Sequence, residues 1–141
     1  MKRVYYSLLF FFSLVSLFHG AVEKIHYHNV EQLITAYNRW VEMRRYNYET
    51  SDRYSLQGKI ARLQCIYYDA LNNDEISFID ATNQIAISLK LNTEKYQQYS
   101  SANRNIIQNW ILKGLRPTRY VSFEIDGMYN RELIGHLIRI H

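Results

Sequence analysis

The sequence predicts an all-α fold, a single-domain helical bundle of five or six helices. Three observations carry that expectation. Apolar residues recur at the i, i+3, i+4, i+7 spacing of amphipathic helices along most of the chain. Polar residues suited to capping stand between these runs. Strict apolar–polar alternation occurs in a single stretch, and a lone strand has nothing to pair with.

Residues 1–21 read as a leader. Lys2 and Arg3 precede fifteen uncharged, mainly apolar residues, 4–18, which is the secretory signal pattern. The run is short for a helix that needs roughly 20 residues to cross a bilayer. Gly20 or Ala21 serves as the small residue at the cut, although Phe18 and His19 stand where a second small residue is preferred. An uncleaved membrane anchor is the alternative. No cysteine stands directly after the leader, which argues against a lipoprotein.

Residues 22–141 read as the single helical domain. The first helix, 29–49, places Val30, Leu33, Ile34, Tyr37, Trp40 and Val41 on one face. The second, 53–72, uses Leu56, Ile60, Leu63, Tyr67 and Leu71. Asn72 and Asn73 make a turn, with Asn73 as the cap of a third helix and Asp74 and Glu75 at its positive end. That helix carries Ile76, Ile79, Ile85, Ala86 and Leu89. Asn92, Thr93 and Glu94 start a fourth, whose apolar face is Tyr96, Tyr99, Ile106, Ile107, Trp110 and Ile111. Gly114 closes it in a left-handed conformation and Pro117 forbids continuation. Residues 118–126 hold the alternating run, Val121, Phe123 and Ile125, and are read as a short helix with a strand left open. Asn130 caps a final helix that buries Leu133, Ile134, Leu137 and Ile138.

Charge narrows the partners. The 17 Lys+Arg and 13 Asp+Glu give +4, but Lys2 and Arg3 belong to the leader, so the domain carries +2. A nucleic-acid-binding domain carries a much larger positive excess, so no nucleic acid is expected. With 48% hydrophobic residues and one proline, the chain is not a disordered one. Arg39, Arg44, Arg45 and Arg53 are interspersed with Glu42, Glu49 and Asp52, which marks a solvated face. Arg116 and Arg119 bracket Pro117 on a loop and are better placed to meet an acidic partner.

Catalytic patterns are missing. Cys65, the one cysteine, excludes an intramolecular disulfide and reads as a buried thiol in a helix. A nucleophile or an intermolecular disulfide are its alternatives. His26 and His28 flank Tyr27 without a third metal ligand nearby, so no metal is expected. Four glycines after the leader leave no phosphate loop, and neither G-x-S-x-G nor H-E-x-x-H is present. No cofactor is expected. Eleven tyrosines after the leader suit either a bundle core or a protein interface. The domain is therefore read as a binder, not an enzyme.

Short segments, taken in order, add a resemblance: Cys65-Ile66, Asp80-Ala81, Glu94-Lys95-Tyr96 and the run EIDGMYNREL at 124–133. Over about residues 62–140 they resemble the immunity proteins of type VI secretion amidase effectors, small helical proteins of the periplasm. The family's second cysteine falls on Glu124, so its disulfide is lost. Its aromatic motif reads Gly127-Met128-Tyr129, and residues 22–55 form an extra helix. The resemblance implies a periplasmic protein, commonly a homodimer, that plugs the cleft of a cell-wall amidase. The binding residues expected by position are Lys95, Tyr96, Tyr99, Arg116 and Arg119. No family motif carries those side chains over. Mass spectrometry of the purified protein should find its N-terminus at or just after residues 20–21. An intact Met1 would make the leader an anchor.

Overall fold

A computed structural model describes residues 24–46, 55–72, 74–91 and 93–141. The leader, with the signal peptide expected of it, lies outside the described residues. The described chain runs α1 (Val30–Tyr46), β1 (Ile60–Asn72), β2 (Glu75–Asp80), β3 (Ala86–Lys90), a 3-10 turn (Glu94–Tyr96), α2 (Gln97–Lys113), β4 (Thr118–Tyr129) and β5 (Glu132–Ile140). The strands form a closed barrel in the order β1-β2-β3-β5-β4, with β4 returning to β1. All neighbours are antiparallel except β3 and β5. A five-stranded Greek-key barrel with a helix between its third and fourth strands is the OB-fold arrangement. Topology of this kind hosts many functions and settles none.

The expected all-α bundle is thus overturned, and with it the helical character of residues 22–141. Two of the expected helices exist. In α1, the Asn29 side chain accepts from the Gln32 amide at 2.9 Å, and the Gln32 side chain accepts from the His28 amide at 2.8 Å. This reciprocal cap fixes where the helix starts. Gly114 ends α2 at φ +62°, the left-handed conformation its place in the sequence predicts. The expected helices at 53–72, 73–89, 118–126 and 130–141 give way to β1, the β2–β3 hairpin, β4 and β5 within the described residues.

Inward residues explain the strands. Leu63, Cys65 and Tyr67 on β1, Ile76 and Phe78 on β2, and Ile87 and Leu89 on β3 alternate into the barrel. Val121, Phe123 and Ile125 on β4 and Leu133 and Leu137 on β5 complete it. Each fully buried side chain of this size contributes roughly 1.5–3 kcal/mol. Trp110 of α2 plugs one end of the barrel, its ring 5.3 Å from Tyr67 and 6.5 Å from Phe78. At the other end α1 buries Val30 and Leu33 in the same core.

The β2–β3 turn is organised by one buried carboxylate. Asp80 accepts from the amides of Gln84 (2.7 Å), Ile85 (2.6 Å) and Thr82 (2.9 Å), and from the Thr82 hydroxyl. Those bonds satisfy the turn's donors and leave Asp80 with a structural task.

Gly135 on β5 pairs with Ile125 on β4 and lies close against the β4 backbone. A Cβ there would fall far inside contact distance of the Glu124 carbonyl oxygen. Gly135→Ala should therefore destabilise the fold by about 1–3 kcal/mol or more, seen as a lower chemical-denaturation midpoint. An unchanged midpoint would refute this packing.

Candidate binding surface

The outer face of β1, β4 and β5 carries two arginines, Arg62 and Arg139, in one row. Pairing sets Arg62 opposite Ser122 on β4, and Ser122 opposite Arg139 on β5. The three side chains therefore share one row across three strands. Arg62 lies over the Tyr120 ring at 5.5 Å, and Arg139 over the Tyr99 ring at 5.6 Å. Between them is a cleft of about 130 Å³ lined by Ile25, Ile60, Arg62, Tyr99, Ser122, Ile138, Arg139 and His141. The buried Ser122 hydroxyl is 2.8 Å from His141 Nε2. Glu124, two residues further along β4, is tied to Lys95 at 2.8 Å. Among the described residues neither Arg62 nor Arg139 forms an ion pair.

The same strip of β1 and β4 leads to an apolar crest. Tyr68, six residues along β1 from Arg62, carries Arg116 over its ring at 5.3 Å. The Tyr67 amide donates to the Pro117 carbonyl at 3.1 Å, which holds the 114–117 segment against the strand. Ile111, Leu112 and Leu115 are exposed there, Leu112 at 86%. Water-exposed leucines grouped beside an arginine and a tyrosine have the composition of a protein interface.

The expected binding residues separate on this surface. Arg116 joins the crest and the half-buried Tyr99 joins the cleft. Arg119 is exposed on β4, across from Cys65. Lys95 is held by Glu124, and Tyr96 is 2% exposed, packed with Ile60 and Ile138. Geometry therefore brings Tyr99 and Arg116 to the strip and buries Tyr96 in a small cluster outside the barrel core. Arg62, Tyr120, Ser122 and Arg139 were missed. The alternation at 118–126 was the signal for Tyr120 and Ser122, since a strand there puts both on one face, whereas nothing local in the sequence pointed to Arg62 or Arg139.

Other candidates resolve into structure. Cys65 is fully buried on a strand, and burial, then the Asp80 carboxylate, pushes its thiol up to about 12. A thiol so far from ionising is a poor nucleophile. His26 Nδ1 accepts from the Ile60 amide at 3.0 Å, which occupies one ring nitrogen. Among the described residues no group of three or more His, Cys, Asp or Glu is arranged to hold a metal, and no helix is long and apolar enough to cross a membrane. The outward side of β2 and β3, where OB barrels take oligonucleotides and oligosaccharides, presents Ser77, Ile79, Ala86 and Ser88. It lacks the aromatic rings on which bases stack.

These features define a class: an OB-type barrel bearing an arginine–tyrosine cleft and an apolar crest on one face. No protein-family model, curated protein or solved structure matches the chain. The helical fold implied by the immunity-protein resemblance is not this barrel. The segments that carried it now fall on β1, the end of β2, a 3-10 turn and β4–β5.

Two histidines make stability pH-dependent. Burial, then Lys59 and Lys24, lowers the His26 pKa from its ordinary value. Burial, then Arg62 and Arg139, does the same at His141. The unfolded chain thus takes up these protons at higher pH than the folded one. Their contribution is complete above about pH 6.5 and is lost as pH falls through the lowered folded values. The melting temperature should fall from pH 7 to pH 5, and His26→Asn with His141→Asn should flatten that fall. An equally steep fall in the double variant would refute the assignment.

Proposed function

We propose that the protein is an exported, non-catalytic binding module that docks a protein partner on the β1–β4–β5 face. The carrying observation is the arginine–tyrosine cleft beside exposed Ile111, Leu112, Leu115 and Tyr68. Tyr and Arg are the residue types that dominate binding energy when a partner desolvates them. A closed barrel also has no free strand edge for strand addition, so side chains must do the recognising. The leader supports export to the periplasm. The resemblance names a cell-wall amidase as the partner, and the proposal keeps that amidase as the first to be tried.

Affinity capture from the exported fraction tests this reading. The wild-type protein should retain a protein partner, and Tyr68→Ser combined with Leu112→Ser should weaken capture at least about tenfold with unchanged circular dichroism. Equal capture by both would overturn the docking face. A peptidoglycan amidase among the retained proteins, blocked on binding, would establish the immunity role.

A further inference from the structure

The cleft is built to receive negative charge. Neighbouring strands lie about 4.8 Å apart, so the backbones of Arg62 and Arg139 are about 10 Å apart with Ser122 between them. That spacing lets two long side chains converge on one group. Each guanidinium is steadied by a tyrosine face, Tyr120 for Arg62 and Tyr99 for Arg139. Stacking of this kind orients an arginine without cancelling its charge. The one carboxylate near the row on β4, Glu124, is held by Lys95. Burial, and then the same two guanidiniums, also depress the His141 pKa. The hydrogen bond between Ser122 Oγ and His141 Nε2, at 2.8 Å, fixes the serine in the wall of the cleft.

Size and surroundings narrow the anion. About 130 Å³ accommodates a carboxylate with its last methylene groups. Thr118 and Ser122 are four residues apart on β4, so the apolar crest begins about 13 Å from the cleft. A repeating polyanion has nothing to bury against Leu112 and Leu115. A polypeptide with an acid at one point and apolar side chains about 13 Å away satisfies both ends.

We infer that Arg62, Arg139 and Ser122 bind the carboxylate of an Asp or Glu in an acidic segment of the partner protein. The inference rests on the docking face proposed above and supplies its charged half. Guanidinium–carboxylate hydrogen bonds in a partly desolvated cleft are the strong kind, so losing one arginine is costly.

The test selects random dodecapeptides on the purified full-length protein as cells produce it, and uses the selected peptides as probes. Selected peptides should share a fixed Asp or Glu. Changing that acid to its amide, or introducing Arg62→Gln or Arg139→Gln, should weaken binding at least about tenfold. Peptide binding should also raise the His141 pKa in a proton NMR titration, which a merely structural arginine would not do. Peptides without a fixed acid, or full affinity in both arginine variants, overturn the inference. Should Tyr68→Ser with Leu112→Ser still abolish those peptides, the docking face stands without its charged half. Indifference to both sets of variants, or a selection that yields no peptide, overturns the two together. Inorganic phosphate displacing the peptide at far lower concentration than acetate also overturns the inference, because the cleft then prefers a phosphoryl group.

Discussion

The parallel pairing of β3 with β5 is the constraint on which the molecule depends. It joins Ile87 to Leu133 and Leu89 to Gly135 and turns five strands into a closed ring. Parallel neighbours cannot be joined by a tight turn, so the chain must leave β3, cross the barrel end and return through β4. Helix α2 is that crossing, and Trp110 on its buried face fills the end it crosses. The two-residue connection from Tyr129 to Glu132 then returns the chain beside β3. Asn130 takes the left-handed conformation there, at φ +57°.

Closure also assembles the binding face. Because β5 must lie between β3 and β4, its last residues run alongside the start of β4, and the His141 amide donates to the Tyr120 carbonyl at 2.8 Å. A bulge near Ile138 shifts the register between Ser122 and Phe123, and Ile138 turns outward against Ile60 and Tyr96. Asn103 of α2 secures this irregularity: its amide donates to the Ile138 carbonyl at 2.9 Å, and its oxygen accepts from the Ile140 amide at 3.1 Å. The backbone groups freed by the bulge are thereby satisfied. Arg139, held between these bonds, projects beside Tyr99. A helix that plugs the barrel thus also positions one wall of the cleft.

That outward-packed cluster explains why the strands were hard to read. Ile60, Leu63 and Tyr67 mark a helical repeat, yet Leu63 and Tyr67 face the barrel while Ile60 packs outside against Tyr96. The inward partner between Leu63 and Tyr67 is Cys65, and Gly135 stands between Leu133 and Leu137. A thiol and a missing side chain interrupt the apolar alternation that would have announced a strand. Ile134, counted toward a helix face, is half exposed on β5. Ile87 and Leu89 on β3 alternate over only five residues, and for the longer run on β4 pairing could not be inferred because its partners looked helical. By contrast α1 and α2 carry their own stop and start chemistry in Asn29, Gln32 and Gly114, and these are local. Arg116 could be singled out because Pro117 exposes its loop. Arg62 and Arg139 are 77 residues apart in sequence, and only the barrel brings them together.

The use of tyrosine rather than carboxylate beside these arginines has a physical consequence. An arginine in a salt bridge must give up its partner before it binds another acid, and the exchange gains little. An arginine on a ring face keeps its in-plane donors directed outward while the flat side is covered. Lys95 shows the other arrangement on the same surface: paired with Glu124, it is neutralised, and it removes the acid that would otherwise compete for the cleft. The face therefore keeps its charge for a partner although the whole domain is nearly neutral. Charge at one end of such a surface accelerates encounter, and apolar burial at the other slows release, so the two halves act on different rate constants. A near-neutral total charge is compatible with strong local recognition because pairing, rather than composition, decides which charges remain available.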